Sequence, residues 1–361
     1  MENGDSWRGA SIKVIGVGGA GGNAIDRMIQ VGIPAVDFIA ANTDAQALAR
    51  SEASRRVQLG ERLTRGLGAG GDPSTGAAAA EQSRKALADA VHGADMVFIA
   101  AGMGGGTGSG AAPVVAQIAR EQGALTIAVV TTPFIFEGSR RQRIAKGGIK
   151  HLEAEVDTLV LVSNDRLLEL VNERVSLDVA FRIADEVLRQ GIQGISELVT
   201  RPGLINLDFA DVRSIMGRAG GALVSMGHGD GKEKALEAAR IALASPLLDI
   251  GSIKGTDGLL VNITGGEDLT LAEVNEVMEM MSQAARPHAQ ILFGAVVDPR
   301  MEGRVQVTLI ATGLGIGKVT TVPRKAEDSA LPFEPEDLFG DQLAVPAFMR
   351  ASVRAQAMWR S

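Results

Sequence analysis

The chain has no cysteine and no tyrosine, and aromatic residues make up only 3% of its 361 positions. Without cysteine there can be no disulfide, no zinc–thiolate site and no thiol nucleophile, a composition that fits a reducing compartment. So few aromatic rings leave little from which to build a base-stacking platform. Positive charge is also scarce: 36 Lys and Arg face 43 Asp and Glu, for a net charge of −7. That balance argues against a nucleic-acid binder, which needs a basic stripe. The opening stretch, MENGDSWRGASIK, lacks the basic start and apolar core of a signal peptide. Met96 to Ala119 carries no charge and is long enough to span a bilayer, but its centre is a glycine run followed by Pro113, so direct membrane insertion is not expected. No G-x-x-x-x-G-K-[ST] occurs, which excludes a P-loop nucleotidase.

What the chain does have is glycine, 45 of them, well above the usual ~7%. They cluster in a few places, most densely in AAGMGGGTGSGAAP (100–113). Each costs ~0.5–1 kcal/mol relative to alanine in regular structure, so a cluster asks for a reason. The length allows two domains, and 45% apolar with 22% charged residues is a globular composition.

Short apolar strands are expected at 11–18, 35–44, 95–101, 124–134 and 157–165, alternating with helices, one of them from about Ala111. That alternation predicts a parallel sheet covered on both faces. A long helix is expected from Ser176 to about Thr200, stopped at Pro202. Beyond it, strands near 221–229, 258–266, 289–298 and 304–313, with helices near 232–244 and 270–285, form a smaller α/β unit. The expected division is 1–10 flexible, 11–175 nucleotide-binding, 176–202 central helix, 203–317 second α/β domain and 318–361 a flexible tail.

GVGGAG (16–21) fits G-x-G-x-x-G between a strand and a helix, the dinucleotide fingerprint in context. Alone it suggests an NAD enzyme as readily as anything else. Against that, the second strand runs out through AANTD, without the lone acidic residue expected at its end. Two further glycine loops, at 66–71 and 102–110, are expected on the same carboxyl edge of the sheet. Three such loops offer backbone N–H groups to a polyphosphate, with hydroxyls from Thr107 and Ser109.

GGGTGSG closely resembles the tubulin signature GGGTG[TS]G. The ordered run KVIGVGGAGGNA, NTDAQAL, GLGAG, AAGMGGGTGSGAAPVVA, the TPF…FEG…R segment and TRPGLINLDFADVR resembles the bacterial FtsZ family, the cell-division relatives of tubulin, over about 11–317. The resemblance implies an α/β fold, a tubulin-like Rossmann variant joined by a central helix to the smaller α/β domain. It implies GTP or GDP contacts at Gly21, Gly22, Asn23, Gly106, Thr107 and Gly108, with Ala20, Ala24, Gly71, Gly104, Gly105, Ser109, Thr132 and Pro133 around them. By the same resemblance Glu137 and Arg141 would hold ribose and phosphates. Asn164 and Asp185 would read the base, with Phe181 beside it. Chemistry agrees: guanine presents adjacent N–H donors that one carboxylate can accept. Mg2+ would be held by phosphates and water, with no side-chain ligand from the same subunit.

The family pattern also implies that Asn206, Asp208 and Asp211 act as catalytic groups on the nucleotide of the next subunit, making the chain a head-to-tail filament and an assembly-dependent GTPase. Read without it, Asp208 and Asp211 are exposed acids capping a helix. LAVPAFMR (343–350) resembles the family's C-terminal recognition peptide. Its Val345, Pro346, Phe348, Met349 and Arg350 suit a groove on a membrane-tethering division adaptor. Location in the cytoplasm, at the mid-cell division ring, follows from the same resemblance. Departures are small: Ala20 where many relatives have Gly, Ser109 for Thr, and Asp72 for Asn.

Overall fold

The computed structural model describes residues 10–168, 176–200, 203–205, 207–217, 220–245, 253 and 255–314. The first half alternates as expected. In chain order it runs β1 (Ile12–Val17), α1 (Gly18–Val31), β2 (Val36–Asn42), α2 (Ala45–Arg50), β3 (Arg55–Gln58), α3 (Glu61–Thr64), α4 (Pro73–Gln82), α5 (Arg84–Val91) and β4 (Met96–Gly102). Then come α6 (Gly106–Glu121), β5 (Leu125–Thr132), α7 (Ser139–Glu155), β6 (Thr158–Ser163), α8 (Asn164–Leu168) and α9 (Leu177–Thr200). The rest is α10 (Phe209–Met216), β7 (Gly220–Asp230), α11 (Lys234–Ala244), β8 (Gly258–Gly265), α12 (Leu271–Ala284), β9 (Gln290–Val297) and β10 (Arg304–Leu314).

Aliphatic runs make the central strands because both faces are covered; β4 is buried along almost its whole length. The ten strands of the described residues form one sheet, ordered β3-β2-β1-β4-β5-β6-β7-β10-β8-β9. Pairing is parallel from β3 through β7, antiparallel between β7 and β10 and between β10 and β8, then parallel from β8 to β9. The β6–β7 seam is narrow: Thr158, Leu159 and Val160 face Gly220, Gly221 and Ala222.

Local signals set the element ends. Gly32 takes a left-handed φ of 77° after α1, and its N–H returns to Met28 and Ile29 carbonyls. Asp72 caps α4 by accepting from Ser74 N–H, and Pro73 occupies the first turn, where no N–H is needed. One expectation is corrected. The helix placed from about Ala111 begins at Gly106, so most of the glycine run is helix and not loop.

The reason is backbone contact. A Cβ on Gly106 would stand 2.8 Å from Asp72 N, on Gly108 2.3 Å from Gly102 O, and on Gly110 2.0 Å from Pro73 O. Reciprocally, one on Gly76 would meet Gly106 O at 2.2 Å. Helices α4 and α6 therefore lie closer than any side chain would allow.

α9 has 24 residues, so it is ~36 Å long. Its Leu188, Ile192, Ile195 and Leu198 share a core with Met28, Val129 and Val160 of the first half and with Leu260 and Ile310 of the second. It thus braces one face of the sheet on both sides of the seam. α10 follows at the amino edge of the parallel strands. Arg213 donates to Gly123 O, just before β5, and Thr158, the first residue of β6, donates to Met216 O. Pro202, expected to stop α9, lies outside the described residues.

Candidate functional site

A cleft of about 320 Å³ opens at the carboxyl edge, where β1, β4 and β5 end. Two helices start against it. α1 follows Val17 and α6 follows Gly105; neither has a side-chain cap or an acidic residue in its first turn. The first N–H groups of both helices are therefore free to take an anion, and both helix dipoles favour one. Around them the chain leaves room: a Cβ on Gly19 or Gly105 would meet nothing within 4 Å.

Of the residues expected from sequence, the cleft is lined by Ala20, Gly105, Gly106, Thr107, Gly108, Pro133, Glu137, Arg141, Asn164, Phe181 and Asp185. The others stand nearby in different settings. Gly21 packs α1 on β4, since a Cβ there would lie 2.2 Å from Ala100 O, and Ala24 is fully buried beneath it. Gly22 and Asn23 line a far smaller crevice of about 30 Å³ behind the same turn. Ser109 is buried and its hydroxyl accepts from Gly104 N–H at 2.8 Å, so it braces the turn it belongs to. Thr132 pairs with Ser163, while its neighbour Thr131 lines the cleft. Gly71, at φ 74°, is exposed beside Asp72 and outside the cleft lining. Serine and threonine hydroxyls at positions 74 and 75 hold the Asp72 carboxyl below its ordinary range.

The polar fittings are specific. Thr107 Oγ1 is 2.6 Å from Thr43 Oγ1, tying the signature turn to the exit of β2. Glu137 accepts from Phe134 N–H at 2.9 Å and forms an ion pair with Arg141. Phe134 stacks on Phe136 with centroids 5.0 Å apart, and Phe181, the one of the three that lines the cleft, meets Phe134 edge-on at 5.4 Å. Asn164 is 4% exposed, and its Oδ1 is buried without a partner. An orphaned acceptor costs ~1–3 kcal/mol, so this one fits a ligand that donates. Asp185 lies on the α9 turn facing the same space. Burial pushes its carboxyl up to about 7, against the pull of Arg27 on α1, whose Nε stands 3.3 Å from its Oδ2. Sequence reasoning missed Arg27, Thr43 and Thr131; only Thr43 had a signal, inside the NTDAQAL segment.

Asp208 caps α10: its Oδ1 accepts from Asp211 N–H at 2.7 Å. Both acids sit at the amino edge, across the body from the cleft. Asn206 and the tail residues Val345, Pro346, Phe348, Met349 and Arg350 lie outside the described residues. Among the described residues no group of three or more His, Cys, Asp or Glu side chains could hold a metal ion, and no helix is long and apolar enough to cross a membrane.

The helix-started cleft, the signature turn and the central helix define a tubulin-like nucleotide-binding class. Residues 11–172 match the Tubulin/FtsZ family GTPase domain, and 220–315 match the FtsZ family C-terminal domain. An empty FtsZ dimer from M. jannaschii is 44% identical over 91% of this chain and 96% of its own, with a TM-score of 0.83. A point mutant of FtsZ from M. jannaschii is 46% identical over 85% and 92%, with a TM-score of 0.81. The GTPgS-bound protofilament of CetZ2 from Haloferax volcanii shares the fold at 24% identity and a TM-score of 0.73, over 86% of this chain and 96% of its own. The chain belongs to the FtsZ family, and its first half is that family's GTPase domain.

Proposed function

We propose that the chain is a self-assembling GTPase whose filaments form the bacterial cell-division ring, and that each hydrolytic site is completed by the next subunit. One observation carries this reading. The nucleotide cleft is on the carboxyl edge of the sheet, while Asp208 and Asp211 stand on the amino edge with α9 between them. A chain so built cannot bring its own acids to its own nucleotide. Stacked head to tail, the amino edge of one copy meets the cleft of another, a heterologous contact that propagates into an open filament.

In the cleft, the starts of α1 and α6 would take the phosphates, with Thr107 beside them. Glu137 and Arg141 would hold ribose and phosphate. Asp185 and the orphaned Asn164 acceptor match the donors on the pairing edge of guanine, and adenine lacks that adjacent pair. Asp208 and Asp211 of the incoming subunit, with Asn206, would orient water at the γ-phosphate, since phosphoryl transfer depends on positioning and charge stabilisation. Mg2+ would neutralise phosphate charge. With no carboxylate cage among the described residues, it would take its ligands from phosphate oxygens and water.

The same reading gives 11–175 as the nucleotide domain, 176–202 as the central helix and 203–317 as the second domain. It gives 343–350 as the peptide for a membrane-tethering adaptor, and the cytoplasm at mid-cell as the place of action. The test is trans-complementation. Asp211→Ala should bind GTP as the parent does yet lose most turnover. Thr107→Arg should block its own cleft but keep its acids. Mixing the two inactive chains should restore a measurable fraction of turnover, and turnover per subunit of the parent should rise with protein concentration. Severe loss of GTP affinity in monomeric Asp211→Ala would sink the shared site.

A further inference from the structure

Arg27 does not line the cleft. It stands behind it on α1, 31% exposed, with Nε 3.3 Å from Asp185 Oδ2. No motif marks it, and the reading above gives it no part. What Asp185 can do to guanine nevertheless depends on its proton. Ionised, it accepts from N1–H and from the 2-amino group together. Protonated, it turns a donor toward those donors.

Among the described residues, few charged groups face Asp185. Arg27 comes from α1, and Arg182 and Glu186 from α9 itself; Glu137 and Arg141 line the same cleft. The α9 pair is already engaged, Arg182 with Asp178 at 2.8 Å and Glu186 with Arg189 at 2.8 Å. Arg141 is held by Glu137. Arg27 is the cation committed to Asp185.

Resting on the guanine reading of Asp185, we propose that Arg27 is the positioning residue for base recognition. Its guanidinium keeps the Asp185 carboxylate charged and turned into the cleft, so specificity for guanine is set from behind the site. Burial raises the carboxyl to about 7 even with Arg27 in place. Removing that cation raises it further, leaving most chains protonated at neutral pH. Because guanine binds the ionised form, affinity is lost as pH falls through the carboxyl's value in the empty protein.

The experiment measures GDP affinity of the full chain across pH, by competition with a fluorescent GDP, at concentrations too low for assembly. The parent should weaken progressively below about pH 7 and be flat above it. In Arg27→Met a rise of ~1 pKa unit would weaken GDP about fivefold at pH 7, yet leave it within about twofold of the parent near pH 8.5. Arg27→Lys should return to within about twofold at pH 7. If Arg27→Met does not fold, Arg27→Gln, which keeps a hydrogen bond and loses the charge, gives the same reading. A loss equal at every pH, with a profile parallel to the parent's, would make Arg27 merely structural and overturn the proposal.

Failure of the underlying base reading looks different. Asp185→Asn should lose GDP and gain XDP, because xanthine presents a carbonyl where guanine has its amine. If that variant keeps GDP and gains no XDP, Asp185 does not read the base, whatever Arg27 does.

Discussion

Gly105 and Gly110 belong to one motif, but their hydrogens face different neighbours. Around Gly105 there is open space at the mouth of the cleft; a Cβ on Gly110 would lie 2.0 Å from Pro73 O. On the proposed reading the first glycine leaves room for the phosphates, while the second serves the α4–α6 contact. Gly110→Ala should therefore lower thermal stability by about 1–3 kcal/mol, an overpacking penalty, with no selective effect on nucleotide. Gly105→Ala should leave the melting temperature of the empty protein nearly unchanged and weaken GDP binding, because a methyl group enters the phosphate space. Paired melting and binding curves check both. Equal effects of the two changes would mean the glycine run acts as a single unit. The phosphate argument alone cannot explain this run: three of its glycines answer to protein backbone.

At the scale of elements, the proposed function would give one residue at the start of α10 two tasks. Asp208 caps the helix through Asp211 N–H, and its charge faces outward from an exposed position. Asp208→Ala should cost about 1 kcal/mol from the lost cap. Asp208→Asn should keep most of that stability, because the amide oxygen can still accept. If the carboxylate serves a neighbouring nucleotide, turnover should stay depressed in both. Chemical denaturation beside phosphate release separates the tasks, and full turnover in Asp208→Asn would leave only the cap.

Elements also explain what could be read from sequence. The parallel strands were legible because strands buried on both faces must be apolar throughout, as in MVFIAA. The start of α6 was not, because glycine is a poor helix former and the run looked like loop; nothing local reveals that α4 will press against it. Asn164 and Asp185 entered through family resemblance. Arg27 was invisible, since an arginine on an amphipathic helix reads as a solvated residue until α9 is laid across it. The β6–β7 seam, three residues wide, had no local signature either.

On the scale of the whole molecule, the described residues end at Leu314 on β10, and the buried apolar clusters against the sheet are assembled from residues up to that point. Truncation after Lys318 should therefore leave GTP turnover and sedimentable filaments near those of the full chain, and abolish co-flotation with adaptor-decorated liposomes. Lost filaments would make the tail structural. Unchanged flotation would put the adaptor site elsewhere.

Cleft and acids on opposite edges have an arithmetical consequence if hydrolysis is shared. An open filament always has one fewer completed site than it has subunits. At one tip a nucleotide waits with no acids above it, and at the other a pair of acids has nothing below. The two tips are chemically different places, so growth and loss need not balance at the same end. Closing the filament on itself would add a working site without adding a subunit, and closure would then register as a step in turnover at constant mass.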